Sequence, residues 1–225
     1  KSYIRTTMAK VQLLGDKAEG YQLTVDGEPF FIKGAGLEFG HLKSLAEAGG
    51  NAFRTWRVAN GERDAIDILD EAEALGIKVC MGLDIARERH GFDYSDQVAV
   101  IAQNEAMMRD VIRLKDHPAL LMWGLGNELN LRAKNESVWD AMEDLAVRIK
   151  QVDPDHPVTT MLAGIDKPTV TAIAKRAPSL DFLSFQIYGE IDHLPEILEK
   201  VGYDGPYQIT CLLYTSDAAD EMRRV

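Results

Sequence analysis

Short apolar runs and longer amphipathic stretches alternate along most of this chain. The first pair of runs, YQLTV and PFFIK, is separated by Asp26-Gly27. An Asp-Gly step between strand-forming runs is a strong short-range hairpin signal. Beyond it the apolar runs predict strands over 31–34, 52–56, 78–83, 120–125, 158–161, 182–187 and 207–210. Between them, apolar residues at helical spacing predict helices over 41–48, 63–75, 97–115, 138–151, 169–176 and 194–201. Gly76, Gly202, Pro118, Pro157, Pro178 and Pro206 punctuate the joins, as helix stops and strand starts do.

Seven strands alternating with six helices call for parallel strands joined by right-handed crossovers. An open doubly wound sheet and a barrel both meet that demand. The first strand leads into Gly34-Ala35-Gly36-Leu37-Glu38, which lacks the third glycine of a dinucleotide-binding turn. Polar and aromatic residues recur instead just past several strands: Trp56 and Arg57, Asp84, Asn127 and Glu128, and Tyr188. Contributions from many strand ends are what a barrel's C-terminal face requires, whereas an open sheet gathers its ligand at one switch point. The expected fold is α/β, an incomplete (β/α)8 TIM barrel with about seven strands and six helices present.

Composition narrows the function without naming one. With 225 residues, 46% hydrophobic and 27% charged, the chain can build one substantial core. A formal net charge of -11 argues against a nucleic-acid partner, which would need clustered Lys and Arg. That acidity is compatible with a neutral ligand such as a sugar. No apolar run approaches the roughly 18 residues of a membrane span, so no membrane partner is expected. The two cysteines, Cys80 and Cys211, make neither a disulfide framework nor a paired zinc signature. His41, His90, His117, His156 and His193 are scattered without an i, i+4 pair, so no metal is expected. Nor is a cofactor or a protein partner.

The sharpest chemical signal is LLMWGLGNELN, an apolar strand that delivers Asn127 and Glu128 to its C-terminal end just after two glycines, Gly124 and Gly126. A bare Asn-Glu step is more simply a helix cap followed by a first-turn acid. On the fourth strand of a barrel pattern it becomes a candidate for catalysis. There it resembles the acid/base motif of the large clan of (β/α)8 retaining glycosidases. FIKGAG, then GGNAFRTWR, then LDEAEALGIKV are similar to the barrel domain of glycoside hydrolase family 2. RERHGFDY and DHPALLMWGLGNELN resemble a bacterial subgroup of that family.

The resemblance implies retaining cleavage of a β-glycosidic bond in an oligo- or polysaccharide, with carbohydrate as the partner. Glu128 matches the acid/base and Asn127 the residue that hydrogen-bonds the sugar's 2-hydroxyl. Arg54 matches an arginine beside the nucleophile, where a cation keeps a carboxylate ionised. Tyr188 matches a tyrosine that donates to the nucleophile. An ion pair at the barrel rim and a rim aromatic wetting its hydroxyl are the plainer readings of those two. Trp56, Asp84, His41 and His90 are further candidates for substrate binding. Trp123, inside its apolar run, is read as core.

The family's nucleophile is a Glu closing the seventh strand. Here Thr210 is followed by Cys211, and residues 211–225 show no sustained apolar period. Most of that stretch resembles the translation of a transposase-type sequencing adapter. The expected organisation is a remnant of an upstream segment over 1–20, a C-terminally truncated barrel over 21–210 and a non-native tail over 211–225. Any export signal upstream of Lys1 would be unseen, and a periplasmic or secreted location is expected. Two other functions compete: a carbohydrate-binding barrel without turnover, and a lyase or aldolase using Lys33 or Lys78.

Overall fold

The computed structural model describes residues 8–36, 41–59, 62–189 and 191–213. Its first three strands, β1 (Val11–Asp16), β2 (Gly20–Val25) and β3 (Glu28–Pro29), form an antiparallel sheet of their own. The turn between β2 and β3 puts Asp26 at φ 54 and Gly27 at φ 86. Two consecutive left-handed residues match the strands' right-handed twist, which is why Asp-Gly closes this hairpin. Strand β1 lies in the segment read as an upstream remnant and pairs with β2 from Val11↔Val25 to Asp16↔Gly20. It also donates from the Val11 amide to the Asp155 carbonyl at 2.8 Å, which ties the small sheet to the barrel.

The remaining strands are β4 (Gly34–Gly36), β5 (Ala52–Arg54), β6 (Lys78–Leu83), β7 (Leu120–Asn127), β8 (Val158–Ala163), β9 (Phe182–Tyr188) and β10 (Tyr207–Leu213). They pair in parallel, each with its sequence neighbour, into one seven-stranded sheet running from β4 to β10. Helices α1 (Leu42–Glu47), α2 (Ala65–Ala74), α3 (Gln97–Leu114), α4 (Ser137–Val152), α5 (Lys167–Arg176) and α6 (Leu194–Val201) fill the crossovers. This is an incomplete TIM barrel, curled until its edges nearly meet. A Cβ added at Gly36 on β4 would stand 3.2 Å from the Thr210 carbonyl on β10. Among the described residues no ladder joins those two edges. The lumen beside them holds a cavity of about 190 Å³ whose lining includes Ala35, Arg54, Cys80, Met122 and Gln208.

Two apolar layers follow from strand alternation. On β6, Val79, Met81 and Leu83 face the helices and join Ile68, Leu69, Val111 and Leu145. Cys80 faces inward with Leu121, Met122, Met161 and Phe182. Leu13, Leu23, Val25 and Phe30 of the N-terminal sheet pack on that inner cluster. Strand β7 is buried on both faces, as a central parallel strand should be, so its sequence is a continuous apolar run.

Two expectations shift. The first barrel strand begins at Gly34 rather than Phe31, because Asn51 occupies the preceding backbone. Its side chain donates to the Phe31 carbonyl at 2.9 Å and accepts from the Lys33 amide at 2.8 Å, in place of a strand ladder. Phe31 itself is 81% exposed. At the other end β10 continues to Leu213, three residues past its expected limit.

A buried polar knot anchors the outer layer. The Trp123 indole donates to Asp153 at 2.7 Å, and His156 Nδ1 lies 2.9 Å from the same carboxylate, both its side chain and that of Asp153 being fully buried. A carboxylate can only accept, so Nδ1 carries the proton. Asp153→Ala would strand two buried donors at once. We expect it to lower unfolding stability by about 3–5 kcal/mol, read as a shift of the denaturant midpoint. A Trp123→Phe protein, which loses one donor with its acceptor still occupied, should lose only about 1 kcal/mol.

Candidate active site

Strand β7 breaks its pattern where the chemistry is expected. Its pairing with β8 slips between Leu125 and Asn127. Gly126 takes φ 70 and Glu128 takes φ 55, so Asn127 sits between two left-handed residues. A side chain at 126 would also collide with Leu129, the nearest atom being 2.6 Å from a built Cβ. Glycine is therefore required there. Glu128 tolerates a conformation that costs an L-residue roughly 1–2 kcal/mol. Its amide still donates to the Met161 carbonyl at 2.8 Å, and its side chain is 20% exposed. A glutamate held in strained backbone at a strand end points to function.

Around Asn127 three strands converge. Arg54, at the end of β5 and 6% exposed, donates from Nη2 to Asn127 Oδ1 at 2.5 Å. Gln186 of β9 donates to the same oxygen at 2.9 Å, and the Tyr188 hydroxyl donates to Gln186 Oε1 at 3.3 Å. With two donors on its oxygen, the Asn127 amide is oriented, and its Nδ2 donates to no other described residue. That group is available to a ligand hydroxyl. The Arg54 guanidinium stands 5.9 Å from the Trp56 ring centroid, within cation–π reach. Arg54, Asn127, Tyr188 and Trp56 thus form one cluster with Gln186.

Glu128 is held from the other side, by the loop after β6. Arg89 donates from Nη1 to the Glu128 carbonyl, and its Nη2 lies 3.4 Å from Glu128 Oε2. Arg87 donates from Nε to the Asn127 carbonyl at 3.0 Å and pairs with Asp84 at 3.3 Å. Glu88 accepts the Lys134 and Asn135 amides at 2.7 and 3.0 Å, and these donors hold its carboxyl below the usual range. Burial, and then the Arg87 charge, pull Arg89 below the ordinary arginine value, while Glu128 opposes them.

The other candidates stand apart. Among the described residues Asp84 reaches the cluster through Arg87. His41 is exposed at the start of α1, and its side chain caps nothing. His90 is exposed beside Arg89 in a short 3-10 turn (Glu88–His90). Burial pushes the Cys80 thiol up to about 12, against the weaker pull of Arg54, so it does not supply a thiolate nucleophile. Among the described residues Asp70, Glu73 and His117 bring ligand atoms within 4.8 Å of one another. His117 Nδ1 accepts the Ala119 amide at 3.1 Å, so its proton sits on Nε2, facing Asp70 at 3.1 Å. In this tautomer His117 has no free lone pair, and its contact with Asp70 ties α2 to the chain entering β7.

Residues 48–208 match the family model described as glycosyl hydrolases family 2, TIM barrel domain. The chain belongs to that family. It is 26% identical to a human β-glucuronidase over 182 residues, covering 74% of this chain and 26% of that protein. A β-glucuronidase of Streptococcus agalactiae serotype V is 30% identical over 147 residues, covering 59% of this chain and 24% of that protein. The chain spans about a quarter of the length of the curated relatives it matches. A solved β-D-glucuronidase of Dictyoglomus thermophilum superposes with a TM-score of 0.66 at 19% identity, over 96% of this chain and 43% of that one. At that identity the superposition speaks for the fold alone.

This family 2 barrel carries site residues that its sequence did not advertise. Gln186, Arg87, Glu88 and Arg89 all touch the Asn127–Glu128 segment or its loop. A glutamine inside the buried run FLSFQIY was one signal, because a polar residue in a central strand needs a partner. The charged triplet Arg87-Glu88-Arg89 after Asp84 was another. No described helix is long and apolar enough to cross a membrane.

Proposed function

We propose that this barrel supplies the acid/base side of a retaining β-glycosidase. The observation that carries the reading is Asn127–Glu128 at the end of the fourth barrel strand. Asn127 is oriented by Arg54 and Gln186, and Glu128 is set in left-handed backbone beside it. In the first half-reaction a carboxylate attacks the anomeric carbon while Glu128 gives its proton to the departing glycosidic oxygen. In the second, Glu128 takes a proton from water as that water attacks the same carbon and releases the carboxylate. Asn127 Nδ2 would hold the sugar's 2-hydroxyl through both steps.

The attacking carboxylate belongs, in this proposal, to the position after Thr210, in place of Cys211. The backbone register supports it: Cys211 pairs with Gln186, whose side chain touches Asn127. Residues 211–225 would then be foreign to the natural protein. The names of the relatives make a β-glucuronide the first substrate to try. A polysaccharide is met outside the cytoplasm, which supports a periplasmic or secreted enzyme.

A 2-fluoro-sugar bearing an activated leaving group tests the mechanism. The full-length protein should gain the mass of one fluoroglycosyl unit, on the residue after Thr210, and lose activity in step. Sugar binding without labelling or turnover would favour a non-catalytic carbohydrate-binding barrel.

A further inference from the structure

Three consecutive residues, Arg87, Glu88 and Arg89, hold three separate points of the loop that carries Glu128. Arg87 grips the Asn127 carbonyl, Arg89 grips both ends of Glu128, and Glu88 gathers the Lys134 and Asn135 amides. The triplet is itself fixed from behind. The Tyr94 hydroxyl donates to the Ala86 carbonyl, and Gln103 of α3 accepts the Ala86 amide at 2.7 Å. Tyr94 is 1% exposed, so this support is anchored in the core. Across the loop, Asn130 exchanges hydrogen bonds with Ala163 at the end of β8, at 3.0 and 2.9 Å.

We propose that Arg89 is a positioning residue for Glu128, and that the Arg87–Arg89 triplet is the template on which the catalytic loop is set. One guanidinium that binds a residue's main-chain carbonyl and its own carboxylate constrains both the backbone and the side-chain torsions between them. That constraint suits a residue with φ 55, which without it would relax toward commoner conformations. The planar fork of arginine can serve two acceptors in this way; lysine, a point donor on a flexible stem, can serve one well at a time. Arg87 and Arg89 are like charges held side by side, an arrangement that persists because each has its own acceptors in the loop.

This inference rests on Glu128 acting as acid/base, and its test separates the two ideas. In the full-length protein, Arg89→Gln should lower kcat for an unactivated glycoside on the order of 10²-fold, the scale of a small misplacement of a catalytic group. Turnover of an activated dinitrophenyl glycoside, which needs little protonation, should fall only a few-fold. KM should stay within about twofold. Arg89→Lys should recover part of the loss. Equal losses on both substrates, or none, would overturn the proposal. Hydrogen exchange gives a readout that needs no activity. In Arg89→Gln the amides of residues 128–135 should exchange about tenfold faster or more, while β6 and β7 keep their protection. Unchanged exchange in that loop overturns the positioning role even if the protein proves to turn over no glycoside.

Discussion

Glu128→Ala in the full-length enzyme is expected to slow cleavage of glycosides with poor leaving groups on the order of 10²–10⁴-fold, the usual worth of general acid help. Activated aryl glycosides should be slowed far less in their glycosylation step. Their leaving groups depart as stable anions and need no proton. The second half-reaction also loses its base, so an intermediate should accumulate, and a small anion such as azide should speed its breakdown. Steady-state kinetics across a series of aryl glycosides reads both effects. Among the described residues the Glu128 carboxylate pairs with one cation, Arg89 at 3.4 Å, on a loop held in left-handed backbone. Equal losses on all substrates would mean that Glu128 only shapes the loop.

The residue that follows Thr210 in the natural gene is expected to be Glu, and a cysteine there should abolish measurable turnover. The chemistry demands a carboxylate because the intermediate is a glycosyl ester. A cysteine side chain is shorter, offers one sulfur in place of two oxygens, and is a weak nucleophile while protonated. Tyr188 ends β9, the strand paired with β10, and Arg54 ends β5; both already meet in the network around Asn127. Sequencing the source DNA decides the identity. Any residue other than Glu or Asp at that position sinks the retaining mechanism. In the full-length protein, replacing that residue by Cys should then abolish covalent labelling by the fluorosugar.

How much of this was legible beforehand differs between elements. Strand β6 and helix α6 fall on the residues their patterns predict, 78–83 and 194–201. Each is a clean apolar period with a marked end, Gly76 at φ 68 before β6 and Gly202 at φ 75 after α6. Strand β1 was not anticipated, because VQLLGD has weak alternation and gains its burial only by pairing with β2 beneath the barrel. The first barrel strand was misplaced because Asn51 captures the Phe31–Lys33 backbone, and a hydrogen bond across 20 residues leaves no local mark.

The sequence by itself determined the alternation of strands and helices, the Asp26-Gly27 turn and the delivery of Asn127–Glu128 to a strand end. All of these depend on neighbours within a few residues, where periodicity and turn chemistry act. Only the tertiary structure decided which groups surround that pair. Arg54 reaches Asn127 across 73 positions and Gln186 across 59, while Arg89 grips Glu128 from 39 residues away. Those partners are brought together by the curl of the sheet, which sets the ends of β5, β6, β7 and β9 around one rim. No local pattern encodes that closure, because it arises from the summed twist and stagger of strands paired along their whole lengths.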